Sequence, residues 1–207
     1  MKQVLAFGDS NTWGYNPENG ERFGWGVRWT SILQKNMETD QVHIIEEGLC
    51  GRTTVFEDEL RDGRRGIDAL PILLESHAPL DAVVLMLGTN DCKSIYHASE
   101  YEIGKGIARL LDKIRQIQKT AKVLLMSPIW LGDNVWEPEF DPEFDEKSVQ
   151  TSHRLKAVYE KVAQDYGIEF LAASDYATYS QADREHMDAD NHGKLAAAVE
   201  GKLREII

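Results

Sequence analysis

Val4-Leu5-Ala6-Phe7-Gly8-Asp9-Ser10-Asn11-Thr12 passes from four apolar residues straight into a turn sequence. An apolar run this short, without polar alternation, reads as a strand buried on both faces, the habit of a parallel sheet. Taken as residues 3–7, it is followed by similar runs at 42–46, 82–87, 122–127 and 168–171, which predict five strands. The segments between them have helical spacing. From Tyr101 to Thr120, Ile103, Ile107, Leu110, Leu111, Ile114 and Ile117 make one apolar stripe; Leu155, Val158, Tyr159, Val162 and Tyr166 make another. The Ala- and Leu-rich stretch from Asn191 to Ile207 favours helix by propensity as well. This alternation predicts a three-layer α/β architecture on a five-stranded parallel sheet, with ligands outside the carboxyl ends of the strands.

Composition narrows the partners. A chain of 207 residues with 42% apolar content suits a single domain, 1–207. Its 23 basic against 35 acidic residues, a formal charge of -12, oppose nucleic acid and anionic membrane surfaces. No stretch approaches the ~20 apolar residues that span a bilayer, and the run Val4 to Phe7 is far too short for a signal-peptide core. A cytoplasmic protein is therefore expected, unless a leader was removed. Cys50 and Cys92 lie outside any CxxC or zinc-ligand pattern and read as packing thiols of a reducing compartment. A cysteine nucleophile is a rival to test, since either thiol would need a histidine beside it.

The acidic, aromatic stretch from Trp130 to Glu146, WLGDNVWEPEFDPEFDE, reads as a long docked loop. Its spacing does not fit an EF-hand, so no metal is assigned to it.

Ser10 ends the first strand, where a parallel sheet presents its carboxyl edge. Alone, Gly-Asp-Ser-Asn is equally a turn that caps a helix. The second strand is followed by Glu46-Glu47-Gly48-Leu49-Cys50-Gly51-Arg52-Thr53-Thr54, and the third by Gly88-Thr89-Asn90-Asp91. Glycine lets a backbone N–H approach a ligand, and the Asn90 amide offers a further donor, the parts of an oxyanion hole. Near the C-terminus, Asp183-Arg184-Glu185-His186 places a carboxylate three residues before a histidine. Such a carboxylate can hold one ring nitrogen and leave the other as a base toward serine. His192 also follows aspartates, but none stands three residues before it, and it belongs to the start of the last helix.

In this order, the Ser10 block, the Gly51 loop, Gly88-Thr89-Asn90-Asp91 and Asp183-x-x-His186 resemble the four sequence blocks of the SGNH/GDSL hydrolase family. GDSNTWG, ERFGWGVRW, EEGLCGRTT and MLGTND look like its small-acyl arylesterase and acyltransferase group. The resemblance implies a flavodoxin-like sheet and a catalytic triad of Ser10, Asp183 and His186. It also implies an oxyanion hole from the N–H groups of Ser10 and Gly51 with the Asn90 amide, and no cofactor. The expected activity is hydrolysis of short-acyl carboxylic esters, aryl or acetyl, through an acyl-enzyme, with acyl transfer as a side activity. Carbohydrate deacetylase, thioesterase and lysophospholipase remain alternatives on the same residues. A binding module without turnover is a further one. A flavodoxin-like nucleotide binder is disfavoured by the charge and by the lack of a GxGxxG or P-loop pattern.

Around these blocks, Asp9 reads as a hydrogen-bonding brace of the serine turn. Asn11 stands where the family often has an apolar residue and is expected to bring a polar group to the acyl pocket. Trp13, with Trp25 and Trp29, is expected either to wall that pocket or to pack the core. Cys50 occupies a place where the subgroup often has serine, and Arg52 and Thr53 are expected to brace the Gly51 loop. Relatives in the subgroup form oligomers, so a homo-oligomer is open, with Trp130 and Trp136 as lid or subunit contact.

Overall fold

A computed structural model describes residues 1–38 and 41–207. Five strands form one parallel sheet: β1 (Lys2–Gly8), β2 (Val42–Gly48), β3 (Ala82–Met86), β4 (Lys122–Ser127) and β5 (Glu169–Ala172). Their spatial order is β2-β1-β3-β4-β5, so β1 and β3 lie side by side in the middle. Among the described residues, six α-helices accompany them: α1 (Ser10–Trp13), α2 (Trp29–Met37), α3 (Gly66–Ser76), α4 (Glu100–Ile117), α5 (Glu146–Tyr166) and α6 (Ala189–Ile206).

The period of two along a strand sorts the core into two sides. Leu5 and Phe7 of β1, with Val83 and Leu85 of β3, face the apolar stripes of α3, α4 and α5. Val4 and Ala6, with Val84 and Met86, face α2 and α6 through Trp29, Leu33, Leu195 and Val199. The three predicted layers follow, because strands covered on both faces need apolar residues at every position.

Chain reversals are set by local chemistry. Ser99 and Glu102 form a capping box at the start of α4, and Asp145 with Ser148 does the same for α5. Between β4 and α5, residues 128–145 form the expected loop without regular structure, tied down by buried Leu131, Val135 and Phe144.

Trp29 departs from the pocket-wall reading. It is 1% exposed in α2, sealed into the core between sheet and α6, while Trp25 is 64% exposed on the surface.

Candidate active site

Strand β1 ends at Gly8, and the chain turns at once into α1. A Cβ on Gly8 would come within 2.1 Å of Thr12 Oγ1, so only glycine lets the turn close this tightly. Asp9 is fully buried and accepts the Asn11 N–H at 3.0 Å, bracing the turn that aims Ser10. Burial raises the Asp9 carboxyl to about 6, against the pull of the Asn11 N–H, His186, Thr89 and Arg52.

The opposite side of the site comes from the other end of the chain. Asp183 Oδ2 lies 2.6 Å from His186 Nδ1, and His186 Nε2 lies 2.8 Å from Ser10 Oγ. The intervening loop is held in a specific shape. Arg184 adopts φ +62°, a left-handed conformation that costs a non-glycine residue about 1 kcal/mol. Its carbonyl accepts the Gly132 N–H at 2.8 Å, its guanidinium donates to the Asp133 carbonyl at 2.8 Å, and it stacks over Phe140. Asp183 Oδ1 also accepts the backbone N–H groups of Glu185 and His186 at 3.0 and 2.9 Å, so the carboxylate is fixed before it meets the ring.

His186 is 7% exposed, and the Tyr15 ring lies 4.2 Å from it, centroid to centroid. Burial alone would lower its pKa, but the carboxylates of Glu185 and Asp183 outweigh it and raise the imidazole to about 8. His192 is in the opposite situation. It is wholly buried, its Nδ1 accepts the Trp29 N–H at 3.3 Å, and burial drives its pKa down to about 4. It is a neutral packing histidine joining α6 to α2.

Two loops complete the edge. After β2, Gly51 has φ +81°, and a Cβ there would strike the Arg61 guanidinium at 2.4 Å. Arg52 ties this loop to β1 by donating to the Gly8 carbonyl at 2.9 Å and to the Glu47 carbonyl. Thr53 closes it locally with a 2.6 Å bond to the Phe56 carbonyl. After β3, the Asn90 amide donates to the Arg52 carbonyl at 3.2 Å, leaving its second N–H for another acceptor. Buried Asp91 fastens the two loops together by accepting the Thr54 N–H and hydroxyl.

These parts border a cavity of about 270 Å³, reached by Ser10, His186, Asp183, Gly51 and Asn90. Tyr15, Cys50, Arg61, Lys93, Phe140, Asp141 and Glu185 line it as well. Cys50 and Glu185 lie within the quoted motifs and Phe140 and Asp141 within the acidic, aromatic stretch, but nothing local marked any of them, or Tyr15, Arg61 and Lys93, as site residues.

Two expected pocket residues are absent from that lining. Asn11 is 2% exposed and turned toward the histidine loop, where its Oδ1 accepts the Met187 N–H at 3.0 Å and its Nδ2 donates to the Glu185 carbonyl. A polar residue after Ser10 thus serves the fold rather than the acyl pocket. Trp13 lies under the Arg22 guanidinium and is not part of the cavity lining. The aromatic loop does reach the site, but through Phe140 and Asp141. Trp130 stacks on His153 of α5, and Trp136 packs against the core.

Neither cysteine has the makings of a nucleophile. Burial raises the Cys50 thiol to about 11, with the Asp9 charge adding to it, and holds buried Cys92 well above the normal thiol range.

Serine, histidine and aspartate in hydrogen-bonded series at the carboxyl edge of a parallel sheet define the class: this is a carboxylic-ester hydrolase of the three-layer α/β type. The chain belongs to the GDSL-like lipase/acylhydrolase family, whose model matches residues 6–196. It is similar to a carbohydrate acetylesterase family member from Sinorhizobium meliloti, at 35% identity, with 100% of this chain and 99% of that one covered and a TM-score of 0.91. It is also similar to the M. smegmatis aryl esterase in its inhibitor-bound form, at 33% identity over 100% of both chains, with a TM-score of 0.92. No curated protein matches the chain. Among the described residues, no helix is long and apolar enough to cross a membrane.

Proposed function

We propose that the protein hydrolyses short-acyl carboxylic esters through an acyl-enzyme formed on Ser10. The observation that carries this reading is the 2.8 Å bond from Ser10 Oγ to His186 Nε2, whose partner nitrogen is held by Asp183, in the lining of a small cavity. Ser10 attacks the ester carbonyl carbon while His186 takes its proton; the imidazolium then returns that proton to the departing alcohol oxygen as the acyl–oxygen bond breaks. Asp183 keeps the proton of the neutral ring on Nδ1 and stabilises the charged ring. Water, activated by the same nitrogen, releases the acid.

During both steps a negative oxygen forms on the carbonyl. The N–H groups of Ser10 and Gly51 and the free N–H of Asn90 are the donors assigned to it, each contributing on the order of 2.7–4 kcal/mol. The cavity, about 270 Å³, favours a small acyl group. Acetyl esters of aryl or sugar alcohols therefore head the substrate panel, as the similarity to an aryl esterase and to a carbohydrate acetylesterase also suggests. An alcohol that displaces water at the acyl-enzyme gives acyl transfer.

The deciding experiment is labelling by a fluorophosphonate, with p-nitrophenyl esters of increasing acyl length as substrates. Label on Ser10 and rates that fall with acyl length support the reading. Absence of both label and turnover in folded protein replaces it with a binding module.

A further inference from the structure

Glu185 stands apart from the other carboxylates of the cavity. Asp183 is saturated by the histidine loop, and Asp141 accepts the Glu143 N–H at 2.9 Å. The Glu185 carboxylate receives no hydrogen bond from any described residue, although the side chain is only 8% exposed and lines the cavity. His186 Nε2 lies 3.7 Å from Glu185 Oε1, too far for a hydrogen bond. The Glu185 oxygens keep contact with the cavity, so a carboxylate this little exposed and without a protein donor takes its hydrogen bonds from whatever enters there. Its place in the cavity makes a ligand the natural source of the missing donor.

The position also says which part of the ligand. His186 Nε2 delivers the proton to the departing alcohol, so that oxygen sits within hydrogen-bond reach of Nε2. Glu185 Oε1 is beside the same nitrogen, and hence on the alcohol side of the ester rather than the acyl side. Groups facing it are the His186 imidazole, the Asp183 and Asp141 carboxylates and Lys93, whose ammonium is paired with Glu143. Burial raises the Glu185 carboxyl to about 7, with His186 pulling it back down, and a donor arriving from substrate stabilises its charged form.

We propose that Glu185 is a specificity-determining residue that accepts a hydrogen bond from a donor on the alcohol portion of the ester. Monoacyl esters of diols or of amino alcohols then react faster than esters of alkyl alcohols of the same size. This rests on Ser10 and His186 being the ester-cleaving pair. Glu185 forms no covalent bond and moves no proton in the step; it selects and orients the alcohol.

The test compares kcat/KM for 2-hydroxyethyl acetate, 2-methoxyethyl acetate and propyl acetate, each divided by its rate with hydroxide. The methoxy ester matches the inductive effect of the hydroxyl but has no donor. A second arm sets protonated 2-(dimethylamino)ethyl acetate against 3-methylbutyl acetate, which separates ammonium from hydroxyl as the donor. For the wild type, at least one donor ester is expected to exceed its donor-free match about tenfold or more, the size of one charge-assisted hydrogen bond. Glu185→Leu should bring that ratio near one, and Glu185→Gln, which keeps an acceptor without the charge, should leave it between.

A wild-type ratio near one in both arms overturns the proposal, as does a ratio unchanged in both variants. If the leucine variant fails to fold, the glutamine variant decides by whether its ratio falls. Turnover of p-nitrophenyl acetate with flat ratios defeats only this inference, whereas no turnover of any ester by the wild type defeats the esterase reading with it.

Discussion

Ser10 Oγ and His186 Nε2 are 176 residues apart in sequence and 2.8 Å apart in space. The bond joins a turn built by β1 to a loop packed against residues 132 and 133, so both partners are set before substrate arrives. Ser10→Ala and His186→Ala are each expected to lower kcat for p-nitrophenyl acetate by about 10⁴-fold or more, with the thermal midpoint nearly unchanged. Combining them should cost little beyond either alone, because the two side chains act as a unit. Kinetics on the three variants, alongside circular dichroism melts, check this.

The protonation of His186 sets the pH dependence. The neutral ring is the base, and its pKa is about 8 because the Glu185 and Asp183 carboxylates outweigh burial. Activity should therefore rise with pH through a midpoint near 8, since protons leave the ring in that direction. Glu185→Gln removes one of those charges and should move the midpoint to lower pH. A kcat/KM profile for p-nitrophenyl acetate between pH 5 and 10 reads both.

Gly51 combines φ +81° with a position where a Cβ would strike Arg61. Gly51→Ala is thus expected to shift the backbone N–H assigned to the oxyanion and to lower kcat by roughly 10²–10³-fold. Asn90→Ala should fall in the same range by deleting a donor outright. Fluorophosphonate labelling of Ser10 should slow in both variants but persist, which a stopped-time labelling assay would show.

His192 predicts an acid-sensitive fold without a catalytic cost. Its folded pKa of about 4 lies below the ordinary histidine value, so on acidification from pH 6.5 toward 4 the unfolded chain takes up a proton that the native state refuses. Stability from this residue is present above pH 6.5 and lost as pH falls through that window. His192→Ala orphans the Trp29 N–H and should cost about 1–3 kcal/mol at pH 7, measured by urea unfolding. It should also flatten that part of the pH dependence while Ser10 still labels in the folded protein.

Much of the framework could be read without coordinates. The runs at 42–46 and 122–127 lie within β2 and coincide with β4, and the stripe from Ile103 to Ile117 falls inside α4, because buried strands and amphipathic helices announce themselves by local period. Asp183 and His186 were recognisable for the same reason, since their contact spans only three residues. Ser10, Gly51 and Asn90 needed the further rule that a parallel sheet gathers its loops at one edge.

What the chain alone determined, then, is the order of elements and the identity of the short-range chemistry, both of which follow from neighbouring residues. The facing of each side chain was decided only by the tertiary structure. Asn11 looked like a pocket residue and instead holds the Met187 N–H, while Glu185, an unremarked letter between Asp183 and His186, points a carboxylate into the cavity. Trp29 is sealed in the core and Phe140 lines the site for the same reason. Burial and orientation are sums over contacts between segments far apart in sequence, and no local pattern carries them.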